Sequence, residues 1–267
     1  MSHIHIPDGV LPWWLWVPGW LLALVLVFVA GRAAERHEVR RKVPLLAVVS
    51  ALMLVAMSSE VVPIAYHINL TVVAGVLLGP ALSVIAAFIV QVVLAMLGHG
   101  GVTVLGLNTL VISTEMVVGW ALFRVLVAAL SRRRVRWAAA IATVITLAIS
   151  TTMLVGIVAL AGGGAAAARD SGALDPASMT FANPFSGGIV HVGLFSGGEH
   201  LSTPPAHSSV ARFAAIVYTL GSIGWVLEAL VTAWILGYLA RVRPGLLWDG
   251  ALATHEHRIP GDEAGVG

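Results

Sequence analysis

The sequence predicts an all-α integral membrane protein of about seven transmembrane helices, with the N-terminus outside and the C-terminus in the cytoplasm. Three observations lead there. Of 267 residues, 58% are hydrophobic and only 10% charged, against roughly a quarter charged in an ordinary soluble domain, so one water-facing core cannot hide the apolar surface. The mean hydropathy of +0.94 agrees. Uncharged runs of about 20 residues, the length that spans a ~30 Å hydrocarbon core, recur along the chain.

The clear runs are 11–30, 43–62 (with Glu60 near its end), 81–97, 103–130 (with Glu115 and Arg124), 137–161 and 213–240 (with Glu228). A shorter run, 63–79, is separated from the next by Gly79-Pro80, a helix-breaking pair. With ~17 residues it reaches about 25 Å, so a tilted or partly re-entrant third helix is expected. Its crossing is argued from charge. Lys and Arg collect in cytoplasmic loops, and they occur here as Arg36, Arg40, Arg41 and Lys42, then Arg132, Arg133, Arg134 and Arg136, then Arg241 and Arg243. All three clusters fall on one side only if 63–79 crosses. Residues 1–10 contain no Lys or Arg and include Asp8, the reverse of a cleavable signal peptide's start, so the first helix is expected to be an uncleaved anchor. The chain then divides into one transmembrane domain, 1–246, carrying a long outer Gly/Ala/Pro-rich loop at 162–211, and a polar C-terminal tail, 247–267.

Several chemistries are excluded. With no cysteine, there are no disulfides, thiolate metal sites or cysteine nucleophiles. The only lysine, Lys42, lies in Arg41-Lys42-Val43, so no Walker A sequence exists. Neither His-Glu-x-x-His nor Gly-x-Ser-x-Gly occurs, which removes the commonest metalloprotease and serine-hydrolase signatures. A net charge of +2, with arginines placed by topology, gives no case for nucleic acid.

Histidine is abundant, ten against 15 Lys plus Arg and 13 Asp plus Glu. On the expected topology His3, His5, His67, His99, His191, His200 and His207 all fall outside. Neutral imidazole suits nickel, copper, zinc and cobalt rather than hard cations, although any single loop histidine is more simply a solvated polar residue. The start, Met1-Ser2-His3-Ile4-His5-Ile6-Pro7-Asp8-Gly9, places two imidazoles near an amine. An α-amine, an amide nitrogen and an imidazole can chelate one ion, and an imidazole from elsewhere would complete a square plane of nitrogens, which favours nickel(II) or copper(II). Asn69 and Asn108, near outer helix ends, and Glu60 are candidates to hydrogen-bond a ligating ring or, for the two asparagines, to link helices. Asp8 is a candidate to pin the N-terminal loop after Pro7.

At these residues the chain becomes similar to a known family. His5-Ile6-Pro7-Asp8-Gly9, His67-Ile68-Asn69 with Gly75 to Pro80, Gly98-His99-Gly100-Gly101 through Asn108, and Glu228 to Thr232 with Arg241-Val242-Arg243-Pro244 resemble, in order, the nickel/cobalt substrate-binding membrane components of energy-coupling factor transporters (the CbiM/NikM family). The resemblance covers about residues 5–246. It implies a subunit that captures Ni2+ or Co2+ as transported substrate, with no cofactor and no ATPase site of its own. The implied partners are a transmembrane coupling component, cytoplasmic ATPase subunits and a small accessory membrane protein, in a prokaryotic plasma membrane. It also implies a metal held by the terminal amine, a histidine directly after the first methionine, and an imidazole at the position of His67. Here the motif histidine is His5, four residues in. Loss of Met1 would make Ser2 the amine and His3 the second residue; alternatively the chain starts elsewhere, or His5 binds through its side chain alone. The expected ligands are therefore His5 and His67, then His3, with Met1 or Ser2 supplying the amine. The other readings are a stand-alone proton- or potential-coupled carrier using Glu115 and Glu228, and an intramembrane metal-dependent enzyme.

Overall fold

The computed structural model describes residues 11–34, 36–58, 68–97, 101–161 and 210–252, and all the regular structure among them is helical. The elements are α1 (Trp13–Ala33), α2 (Arg36–Ser58), α3 (Thr71–Leu78), α4 (Pro80–Met96), α5 (Leu105–Leu130), a 3-10 turn (Arg132–Arg134), α6 (Val135–Ala161), α7 (Val210–Val242) and α8 (Gly245–Leu252). Lipid offers no hydrogen bonds, so a spanning segment must satisfy its own backbone, and uncharged runs become helices for that reason. The helices Trp13–Ala33, Leu105–Leu130, Arg132–Ala161 and Val217–Val242 are long and apolar enough to cross a membrane, and Lys42–Ser58 and Pro80–Met96 are shorter apolar helices.

The third segment differs from the expected ~17-residue helix. Among its described residues only Thr71–Leu78 is helical, a rise of about 12 Å, and all eight residues are buried. Its end is built by one glycine. Gly79 has φ +79° and ψ 174°, a region open essentially to glycine. Its N–H closes α3 on the Gly75 carbonyl (2.9 Å), while its own carbonyl accepts the Ser83 N–H (3.0 Å) and hydroxyl (2.6 Å). Pro80 then starts α4 at a position where a missing N–H costs nothing.

Missing side chains let the helices approach. A Cβ on Gly19 would lie 2.5 Å from the Leu107 side chain, one on Gly119 would meet Val72 at 2.9 Å, and one on Gly75 would collide with the Met116 carbonyl. Such close backbone contact is how membrane helices gain packing energy when lipid is as apolar as leucine. Helices α6 and α7 are antiparallel, with Arg136 lying against Gly237 near one end and Thr152 bonded to Tyr218 (2.6 Å) towards the other.

Two of the basic clusters share one end of the bundle, where Arg136 lies against Gly237 and Arg132 over Trp248. Helix α4, which begins at Pro80, packs against α5, which is followed by Arg132–Arg134. Beside that beginning, the Lys42 ammonium in the early turns of α2 donates to the Leu78 carbonyl (3.4 Å). That bond ties the start of α2 to the end of α3. Helix α8 packs here too. Leu247 is buried in the main core, and Trp248 stacks on Phe123 (6.5 Å) under the Arg132 guanidinium (4.7 Å). Packed structure thus continues past residue 246, where composition alone suggested a polar tail.

Candidate functional site

The other end of the bundle holds the first described residues of the chain. Leu11, the first described residue, is buried in a small cluster with Val104, Leu107, Leu154, Ile157 and Ala161, which joins the start of α5 to the end of α6. Pro12 precedes α1, and its carbonyl accepts the N–H groups of Leu15 (2.9 Å) and Trp16 (3.3 Å). One turn further on, the Trp20 indole donates to the Val102 carbonyl (3.2 Å). The route of the chain into α1 is thereby fixed on the same turns that open α5.

Asn108 belongs to those turns. Its N–H bonds the Val104 carbonyl (3.0 Å) and the residue is buried next to Leu107, which holds Leu11. Asn69 is fully buried at the head of α3. Between it and Thr71, Leu70 adopts φ 57° and ψ 17°, a left-handed conformation that costs a non-glycine residue about 1–2 kcal/mol. Such a kink persists only when its surroundings impose it, and here it delivers Asn69 and Thr71 to fully buried positions on either side.

The expected ligands Met1, Ser2, His3, His5 and His67, and the supporting candidates Asp8 and Glu60, lie outside the described residues. Among the described residues no group of three or more His, Asp or Glu could hold a metal ion. None of the ten histidine side chains is in that set. The acids Glu115 on α5 and Glu228 on α7 are both fully buried.

A polar interior accompanies these acids that sequence reasoning did not pick out. Thr109 and Ser113 on α5, Thr143, Thr146, Ser150 and Thr151 on α6, and Thr232 on α7 are all buried. The hydroxyls of Thr109, Ser113, Thr146 and Thr232, with the Trp225 indole N–H, have no hydrogen-bond partner among the described residues. Each such group costs about 1–3 kcal/mol unless satisfied, so this interior is suited to ordered water. The signal was present as four-residue spacings, Thr109 to Ser113, Thr146 to Ser150 and Glu228 to Thr232, which place polar groups on one helix face.

Known proteins agree on the kind of molecule. Residues 5–246 match the family described as the cobalt uptake substrate-specific transmembrane region, CbiM. A Halobacterium salinarum protein named for cobalt transport (CbiM) is 29% identical over 204 residues, covering 73% of this chain and 89% of its own. A Haloquadratum walsbyi protein named for metal transport is 35% identical over 126 residues, covering 45% of this chain and 58% of its own. Among solved structures, a truncated transition metal transporter superposes with a TM-score of 0.61 at 17% identity, over 89% of this chain and 99% of the other. A second transition metal transporter superposes with a TM-score of 0.60 at 19% identity, over 90% and 93%. These two likenesses concern the fold. Multi-pass helical architecture and a match over nearly the whole length lead to one conclusion: the chain belongs to the cobalt uptake substrate-specific transmembrane family, CbiM.

Proposed function

We propose that this chain is the substrate-capturing membrane subunit of an ATP-driven nickel or cobalt uptake system, with seven spans, the N-terminus outside and the basic end facing the cytoplasm. The observation that carries the reading is the Leu11 seat. It tethers the histidine-bearing N-terminal segment at the start of α5, beside buried Asn108 and away from the basic end. Placement of Lys and Arg on one end supports the orientation. His5 and His67, then His3, with the amine of Met1 or Ser2, are the proposed ligands, and Asn69, Asn108, Asp8 and Glu60 their supports. Imidazole and amine nitrogens suit a borderline-soft divalent ion. The chain carries out no covalent chemistry in this reading. Conformational work comes from cytoplasmic ATPases through a transmembrane coupling protein, with a small accessory membrane subunit completing the complex in a prokaryotic plasma membrane.

Native mass spectrometry of the purified protein with an unmodified N-terminus, exposed to equal nickel and cobalt, tests this directly. One metal per chain, lost on His67→Ala, supports it; a folded chain that takes up neither ion overturns it. A second reading, a stand-alone proton-coupled carrier, draws on the complete burial of Glu115 and Glu228, since intramembrane acids commonly relay protons. Metal uptake by vesicles containing this chain alone, driven by a pH gradient, would favour it.

A further inference from the structure

The seam between α6 and α7 at the basic end has the make-up of a phosphate site on a greasy track. The stem of Arg136 lies on Gly237, where a Cβ would sit 2.5 Å from Arg136 Cγ and 2.7 Å from Nε. Only a residue without a side chain leaves room for it. Trp234, Gly237, Tyr238 and Arg241 occupy helical spacings that bring them onto one face of α7. Arg136 and Arg241 are both exposed, so two guanidiniums flank one turn. Trp234 and Tyr238 stack at 6.4 Å with 19° between their planes, and they too are exposed, at 68% and 55%. Leading away from the arginines along the same face, Ile223, Val226 and Leu230 are each more than half exposed, a strip that with Trp234 and Tyr238 extends about 22 Å.

We propose that this seam binds one anionic phospholipid, its phosphate on Arg136 and Arg241 and an acyl chain along Ile223, Val226 and Leu230. Guanidinium forks match phosphate oxygens in pairs, and stacked Trp and Tyr rings lie at the depth of lipid headgroups. The apolar strip distinguishes a lipid from free phosphate, because an inorganic ion gains nothing from it. The site is independent of the metal reading.

The test uses the full chain in nanodiscs of phosphatidylglycerol and phosphatidylcholine in equal parts, extracted into mild detergent and weighed by native mass spectrometry. One phosphatidylglycerol per chain is expected to survive extraction. Arg136→Ala and Arg241→Ala should each lower its retention about fivefold, since a basic side chain at an anionic surface is worth about 1 kcal/mol. Arg133→Ala, which removes an exposed charge at the same end but outside the seam, should not lower it. An unchanged thermal midpoint for Arg241→Ala separates lost lipid from lost fold. Equal retention of phosphatidylcholine, equal loss with Arg133→Ala, or complete displacement of the lipid by inorganic phosphate would each overturn the proposal.

Discussion

The main chains of Trp20 and Gly106 touch: a Cβ placed on Gly106 would lie 2.5 Å from the Trp20 backbone nitrogen and 2.6 Å from its Cα. Gly106→Ala must therefore push α1 away from α5. Overpacking of this kind costs about 1–3 kcal/mol, and the Leu11 seat and the Trp20 bond to Val102 depend on the same junction. A lower thermal midpoint in detergent and weaker metal binding are both expected. Gly156→Ala, whose added methyl would meet nothing within 4 Å, should leave both unchanged.

Trp248 holds α8 to the bundle through the Phe123 ring and the Arg132 guanidinium. An aromatic pair and a cation–π contact contribute together about 1–2 kcal/mol. Trp248→Ala should release α8, which faster hydrogen exchange over Gly245–Leu252 would register, while α1 and its seat keep their protection.

Metal capture is expected to fail on His67→Ala and to weaken on His5→Ala. If the terminal amine is a ligand, an N-terminal tag left uncleaved will abolish binding even with every histidine intact. Because ligand nitrogens must shed protons, affinity should fall as pH falls. Isothermal titration of nickel and cobalt into tagged, untagged and substituted protein over a pH series gives these outcomes separately.

Glu115→Gln and Glu228→Gln preserve shape while removing an ionisable group. In an ATP-driven complex, both variants should keep metal uptake when co-expressed with the coupling and ATPase subunits. Radioactive metal accumulation in cells measures this, and loss of uptake with metal binding intact would shift weight to proton coupling.

Much of the helical arrangement was legible because charge and lipid leave few choices. The spans around 11–30, 81–97, 103–130, 137–161 and 213–240 reappear as helices, since uncharged stretches have no other way to satisfy their backbones in a bilayer. Ends were less legible. Helix α6 starts at Val135, beside the arginines, because helical bonding continues into the polar zone, where a hydropathy window stops. That the third helix is short was legible, but its close packing was not, because it rests on Gly75 facing the Met116 carbonyl, a contact between residues far apart in sequence. Asn69 and Asn108 stood out in the sequence as polar groups near helix ends, and both are buried. The threonines and serines of α5 and α6 escaped notice because a hydroxyl can bond the carbonyl one turn back, as Thr143 does to Ala139 (2.9 Å), and so weighs little in a composition count. The histidines expected to bind metal lie outside the described residues, and their assignment rests on sequence.

Burial of Leu11 turns the N-terminal segment into a leash. Only five residues lie between His5 and that anchor, and over the six steps at ~3.3–3.6 Å each the backbone at His5 cannot stray more than about 20–22 Å from it. Confinement on that scale amounts to a local ligand concentration of roughly tens of millimolar. An ion already held by one fixed imidazole would then be closed upon by a donor that never diffuses away, so lengthening the leash with glycines should slow ring closure without altering a single ligand.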